Sequence, residues 1–403
     1  MAQTDTARGG CSQLRLEIIR LRSKRALGHS AGMRGWASVL GLLLVGCAAV
    51  RAPEGAEAPV SSQAPQPADT AAPLISAGNK SEGVTLSPAH KEPYCDWKGV
   101  NAEDVDAANQ ELLLSDDERA RALATHLPFG TPPPRSKHQA LRVLRQFVIE
   151  YDADLRGPIW TAYRLERADV LEAERRDAFR ADPLLDADVR AECRDYEEPI
   201  FDIGHLVPRA DMNRSSSAML NTFLLSNMTP QHCATNRGPW LVLEDLVRQW
   251  ATTGPLLIYS GALYDWQPPE GEDPPAQVPR MYSPRYPAEM GEVRRVAVPS
   301  HLFKIVIRLH ESGVTGPFEA IAFLLRNSPQ KVPKQKLKAY LQAAIVAPGR
   351  LEHLTGVRFF PRLHREEPAL ESALLSEQPE ALWDHESLTP QLTGRCKDDY
   401  ADY

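Results

Sequence analysis

Residues 202–244 decide how this chain reads. They run Asp202-Ile203-Gly204-His205, then Asn221-Thr222-Phe223-Leu224-Leu225-Ser226-Asn227-Met228-Thr229-Pro230-Gln231, then Asn236-Arg237-Gly238-Pro239-Trp240 and on to Glu244. Residues 199–206 and 221–228 are short and apolar, which predicts two strands. From Asn236 to about Thr252 the residues Trp240, Leu243, Leu246, Val247 and Trp250 recur at three- and four-residue steps, which predicts one long helix.

The polar residues in this frame carry a specific chemistry. A neutral imidazole at His205 can take a proton from water near pH 7. The amide oxygen of Asn236 is a hard, neutral ligand suited to Mg²⁺, an ion that keeps most of its waters; Asn is equally a favoured helix N-cap. On a regular helix Glu244 lies about 12 Å along the axis from Asn236 and about 80° around it. It cannot easily share an ion directly with Asn236 but can hold a metal-bound water. Arg248 stands one turn further on the same face, where an exposed ion pair with Glu244 is the plain alternative.

This stretch resembles the DNA/RNA non-specific endonucleases, a ββα-metal family with the pattern D-R-G-H … L-S-N-x-x-P-Q … N-x-x-x-W-x-x-L-E. The likeness continues in order over roughly residues 145–362. It includes Pro299-Ser300-His301-Leu302-Phe303-Lys304 and Leu354-Thr355-Gly356-Val357-Arg358-Phe359-Phe360-Pro361. The resemblance implies an α+β fold with a central antiparallel sheet flanked by helices. It also implies Mg²⁺ as the ion, with Mn²⁺ as a substitute, and DNA and/or RNA as the substrate. His205 is then the base, Asn236 the direct metal ligand, Glu244 the holder of a metal-bound water and Arg248 a neighbour of the scissile phosphate. The implied products carry 5′-phosphate ends. Asp202 is expected to fix the turn bearing His205, and Asn227 and Gln231 to orient backbone and loops.

One departure matters. Ile203 stands where the family has an arginine that supports phosphate charge, and isoleucine has no donors to offer. Arg209 is a candidate substitute. Arg175, Arg176 and Arg180 resemble the family's other phosphate-facing arginine region, although strict alignment falls on Asp177; Arg180 is the supporting residue expected from it. Ile203 also leaves open a weakened, nuclease-like lipoprotein that binds nucleic acid or another polyanion without cutting it. A purely structural envelope role is a further alternative.

Around this centre, residues 105–125 read as helical and 127–134 as a breaker. Residues 147–151 and 160–165 read as a hairpin, and 165–198 as loop with short helices. Strands are expected at 256–261, 300–309 and 318–325, and helices at 335–345 and 350–356. The irregular mixture gives α+β rather than α/β. The domain is placed at 95–365, with a polar tail at 366–403 that wraps the body.

The N-terminus reads differently. Met33-Arg34 opens a basic start, Ala37 to Val45 is apolar, and Leu44-Val45-Gly46-Cys47 resembles a bacterial lipoprotein lipobox. Residues 33–46 are thus a signal peptide, 1–32 a doubtful extension ahead of the expected start at Met33, and Cys47 the lipidated residue. Residues 47–94 read as an Ala/Pro/Ser-rich tether. The expected location is the bacterial cell envelope, periplasmic or outer-membrane, anchored by lipid. The whole chain has a net charge of −7; without residues 1–46 it is −12. Any grip on phosphates must therefore be local. Among six cysteines, Cys95, Cys193, Cys233 and Cys396 remain for disulfides in an exported chain. Three connectivities are open to them, and the pairings favoured are Cys193–Cys233 and Cys95–Cys396; no pair has the CxxC spacing of a zinc site.

Overall fold

The computed structural model describes residues 86–92, 95–196, 200–265, 279–281, 296–309, 318–386 and 388. The extension, the signal segment, Cys47, the tether as far as residue 85 and most of the tail beyond 386 lie outside the described residues.

The described strands are β1 (Trp97–Lys98), β2 (Gln139–Val143), β3 (Val148–Asp152), β4 (Gly157–Leu165), β5 (Asp177–Ala178), β6 (Phe201–His205), β7 (Met228–His232), β8 (Leu256–Leu263), β9 (His301–Arg308), β10 (Glu319–Arg326) and β11 (Ile345–Val346). Seven of them form one sheet in the order β11-β10-β9-β8-β4-β3-β2. Every neighbouring pair in it is antiparallel. The fold is α+β with a central antiparallel sheet.

The strands of this sheet are buried on both faces, so they read as apolar runs rather than alternating ones. In β8 all eight residues are buried. Alternate side chains still separate by face. Leu256 and Ile258 join the core under the helix Leu241–Ala251, beside Leu243, Leu246, Val247 and Trp250. Leu257 and Tyr259 join the opposite core with Phe303, Leu351, Phe359 and Phe360. The C-terminal segment closes the first core: the Trp383 ring lies 5.1 Å from Trp250 and under the Arg308 guanidinium.

β6 and β7 form a separate antiparallel hairpin, with His205 opposite Met228. The chain then turns into the helix Leu241–Ala251, completing a hairpin-plus-helix unit.

Three expectations need correction. The strand expected at 221–228 begins only at Met228. The residues before it form a short helix, Ser216–Asn221, whose first turn is capped by Ser215 Oγ on Ala218 N, and a tight turn, Leu225–Asn227. The long helix begins at Leu241, because Gly238 leaves helical geometry at φ −114° and ψ −115° and Pro239 follows it. β2 was not foreseen; it pairs with β3 at the sheet edge.

The cysteine pairings are also corrected. Cys95 bonds to Cys193 with a Cα–Cα distance of 5.2 Å, which rules out both expected pairings for these two residues. The reason is topological: β1 pairs with β5, and Trp97 Nε1 donates to Phe179 O at 3.0 Å. That laces the N-terminal segment across the 177–196 stretch. Cys233 is also disulfide-bonded, and Cys396 lies outside the described residues. No helix among the described residues is long and apolar enough to cross a membrane.

Candidate active site

The end of β6, the start of the turn Asn236–Trp240 and one face of the helix Leu241–Ala251 converge on a cleft of about 450 Å³. His205, Asn236, Glu244, Arg248 and Arg209 all line it, together with Asp202, Ile203, Arg175 and Arg237. The residues singled out from 202–248 for chemistry are therefore brought together.

His205 follows Gly204, and glycine is required there by close approach. A Cβ at 204 would sit 2.1 Å from Gln231 Cδ. Gln231 Nε2 in turn donates to Thr229 Oγ1 at 3.1 Å and to His205 O at 3.4 Å. Trp240 Nε1 also donates to His205 O, at 3.3 Å. The imidazole packs against Phe223 and Phe179, with ring centroids 4.9 and 5.9 Å away. Its Nε2 meets no hydrogen-bond partner among the described residues. Burial, reinforced by the positive charges of Arg175 and Arg209, pushes the His205 pKa down to about 3. The ring is consequently neutral near pH 7, the form that accepts a proton.

Asn236 is not an N-cap. Its Nδ2 donates to Asp202 Oδ2 at 2.9 Å. Asp202 also receives Arg237 through both oxygens, Nε at 2.8 Å and Nη2 at 2.6 Å. Asp202 thus fixes the Asn236 turn from across the cleft, not the turn bearing His205 as expected. The arrangement commits the amide nitrogen of Asn236 and leaves Oδ1 as its lone-pair-bearing atom. That is a hard oxygen donor at the cleft wall, of the kind that suits Mg²⁺.

Glu244 is buried at the cleft floor. Burial raises its pKa, while the charges of Lys304 and Arg248 oppose the rise. A cation in the cleft would relieve the same cost, so the donor set fits a divalent ion held by Asn236 and, through water, by Glu244. Arg248 Nη1 donates to the fully buried Asp211 Oδ1 at 3.0 Å, and Asp211 Oδ2 accepts from Tyr163 OH at 2.8 Å. Arg248 is therefore anchored by Asp211, with a longer contact to Asp245 at 3.6 Å.

Sequence reasoning gave Lys304 no role. It is fully buried, donates to Ser260 Oγ, and lies 4.6 Å from the Trp240 ring centre. Burial lowers its pKa and the Glu244 charge opposes the drop. A lysine inside the apolar run of β9 was the available signal, because such a residue is rarely buried without a partner.

The arginine region before Asp182 separates clearly. Arg175 lines the cleft and gives Nε to Asp177 Oδ1 at 2.8 Å. Arg176 turns to Gly99 O at 2.8 Å and Ser216 Oγ at 2.6 Å. Arg180 is only 4% exposed. It donates to Asn109 Oδ1, Ala178 O, Leu220 O and Asn221 Oδ1. Arg180 holds scaffold and does not line the cleft; Arg175 stands in the position expected of it. Asn227 binds Val207 in both directions at 3.0 Å and donates to Thr222 O at 2.8 Å, pinning the connection behind His205. Asp182 is buried beneath. Burial raises its pKa, but the paired Arg142 guanidinium, Leu184 N and Ser226 Oγ outweigh that and hold the carboxyl below its usual range.

A hairpin whose last residue is a neutral histidine, facing an Asn turn and a helix-borne Glu, defines a ββα-metal nuclease fold. The profile of the DNA/RNA non-specific endonucleases matches residues 129–366, and the chain belongs to this family. It is 31% identical over 261 residues to a nuclease of Syncephalastrum racemosum, covering 61% of this chain and 74% of that protein. It is 30% identical over 239 residues to the mitochondrial nuclease EXOG of Xenopus laevis, covering 55% of this chain and 59% of that one. Against human endonuclease G the identity is 28% over 235 residues, covering 55% and 70%. A chain of the solved EndoG/EndoGI complex superposes with a TM-score of 0.51 at 21% identity, covering 60% of this chain and 93% of that chain, and so shares the fold.

Proposed function

We propose that this protein is a metal-dependent endonuclease that hydrolyses phosphodiester bonds of DNA and/or RNA without base readout. The observation that carries the reading is one cleft that gathers His205, Asn236, Glu244 and four arginines. His205 takes a proton from the attacking water, whose oxygen bonds to phosphorus as the P–O3′ bond breaks. The 3′ oxygen leaves with the bonding electron pair and takes a proton from solvent, so the products are a 5′-phosphate and a 3′-hydroxyl. Arg248 and Arg175 share the charge that develops on the phosphate oxygens, each already oriented by a carboxylate. Asn236 Oδ1 and Glu244 would hold Mg²⁺, or Mn²⁺ in its place, directly and through water. When bound, the ion supplies Lewis acidity at the phosphate and the leaving oxygen.

Ile203 does not weigh decisively against activity, because Arg209 and Arg175 line the same cleft. The test is incubation of the full chain with supercoiled plasmid and with RNA, in Mg²⁺ or in EDTA, followed by end-group analysis. Nicked plasmid with 5′-phosphate ends, in Mg²⁺ only, is expected. An inert, well-folded protein in Mg²⁺, Mn²⁺ and Ca²⁺ would replace this reading with non-cleaving polyanion binding.

We also propose that the enzyme is exported and lipid-anchored at Cys47. The Leu44-Val45-Gly46-Cys47 sequence supports this, and the Cys95–Cys193 disulfide fits an oxidising compartment. Mass spectrometry of the expressed protein checks it: a diacylated N-terminal Cys47 is expected, and an intact unmodified Cys47 refutes it.

A further inference from the structure

A second groove of about 670 Å³ lies against the Asn236 turn. The turn is shared: Asn236 and Arg237 line the cleft, while Thr235 and Pro239 line the groove. Arg326 at the end of β10, Lys331, Lys336 and Tyr340 complete its rim. Arg326 and Lys336 are exposed and Tyr340 is half-buried. The two recesses are braced to each other. Thr235 Oγ1 donates to Ser328 O at 3.0 Å and accepts from Ser328 N at 2.9 Å, and it reaches Arg326 O at 3.3 Å.

The charge of this region runs against that of the chain. From Ala320 to Leu351 there are six basic residues and no acidic one, in a protein of net charge −7. This is a local cationic surface of the kind that an acidic nuclease needs in order to hold a polyanion. Its chemistry is mixed. Arg326 and Lys336 suit phosphates, whereas the half-buried Tyr340 offers an aromatic face on which a base stacks without sequence preference, above the buried Pro239. A groove of this size accommodates ligand groups rather than bulk solvent alone.

We infer that the groove is a second substrate-contact site, taking a single-stranded stretch of polynucleotide that passes over the Asn236 turn from the cleft. The inference rests on the nuclease reading and extends it to substrate form. The duplex keeps its bases stacked inward and gains little from Tyr340. A splayed strand presents both its phosphates and its base faces to this groove.

The experiment compares the full chain in detergent with its R326Q/K336E variant, on single-stranded oligonucleotides of two lengths in Mg²⁺. Both substitutions fall at exposed positions outside the catalytic cleft. On the long substrate the variant's kcat/KM should drop about tenfold through KM, and the salt slope of log KM should shrink by about 0.7 for each phosphate no longer held. On a substrate too short to leave the cleft the variant should match the wild type within about twofold. Equal losses on both lengths, or no loss on either, would overturn the inference. Fluorescence-anisotropy binding of the same oligonucleotides in EDTA separates it from the nuclease reading. A wild type that cuts nothing defeats catalysis, while length-dependent binding abolished in the variant still upholds the groove. Vesicles containing phosphatidylglycerol form the last arm. Loss of vesicle binding with unchanged oligonucleotide binding would assign the groove to a membrane surface and refute the proposal.

Discussion

Arg175 and Arg180 stand five residues apart and meet opposite environments. Arg180 is buried with four acceptors around its guanidinium. Arg175 has a side chain 62% exposed, one hydrogen bond to Asp177, and a position on the cleft wall. The stretch between them is extended, so parity decides the outcome. Arg175 and Phe179 share the cleft side, whereas Ala178 and Arg180 turn into the scaffold. What separates the two is how many donors the protein itself satisfies. An arginine filled by protein acceptors holds the fold; one with donors left over can hold a phosphate.

Substitutions on the two sides of this contrast should separate cleanly. Arg180→Met leaves several buried acceptors unpaired and should cost about 3 kcal/mol of stability. A guanidinium denaturation curve measures it, and an unchanged midpoint would dissolve the distinction. Arg175→Ala should do the reverse: kcat/KM falls about 10- to 100-fold through loss of a charged hydrogen bond to phosphate, with a smaller shift of the denaturation midpoint than Arg180→Met, because only the Asp177 carboxylate loses a partner. Ile203→Arg sharpens the comparison further. With Arg175, Arg209 and Arg248 already on the cleft, cleavage should rise by less than about fivefold. A gain of two or more orders of magnitude would mean that the present arginines do not compensate.

A further expected effect is pH-dependent and lies away from the cleft. Buried His126 accepts Arg164 N on Nδ1 at 3.1 Å, and its Nε2 meets Arg145 O at 2.9 Å. Burial pushes its pKa down from 6.5 to about 4. The folded state therefore binds fewer protons than the unfolded one between those values. Its contribution to stability is complete above pH 6.5 and is lost as pH falls toward 4. His126→Gln should flatten the melting-temperature profile across that same window, and an unchanged slope would locate the acid sensitivity elsewhere.

The fold was legible where periodicity spoke. Strands β3, β4, β8, β9 and β10 fall where their apolar runs place them, because a sheet buried on both faces leaves continuous hydrophobic stretches. Gly238-Pro239 is a helix-boundary signal, and the reading from the Trp240 to Trp250 spacing runs the helix through it; the boundary falls there. The grouping of His205, Asn236, Glu244 and Arg248 followed from the motif. Partner choice did not. Asp202 with Arg237, Arg248 with Asp211, and Lys304 beneath Trp240 join residues far apart in the chain, and no local pattern encodes them. The expected cysteine pairings failed for the same reason: β1 pairing with β5 creates the Cys95–Cys193 proximity, and two-residue strands leave no periodic trace.

The central claim is that His205 is the proton acceptor in a phosphodiesterase site. Single-turnover cleavage of one oligonucleotide in Mg²⁺, with wild type beside His205→Ala, tests it most directly. The expected result is a rate lower by about 10²- to 10⁴-fold in the variant, with the same melting temperature and the same oligonucleotide affinity in EDTA. Equal cleavage rates in the two proteins would contradict it.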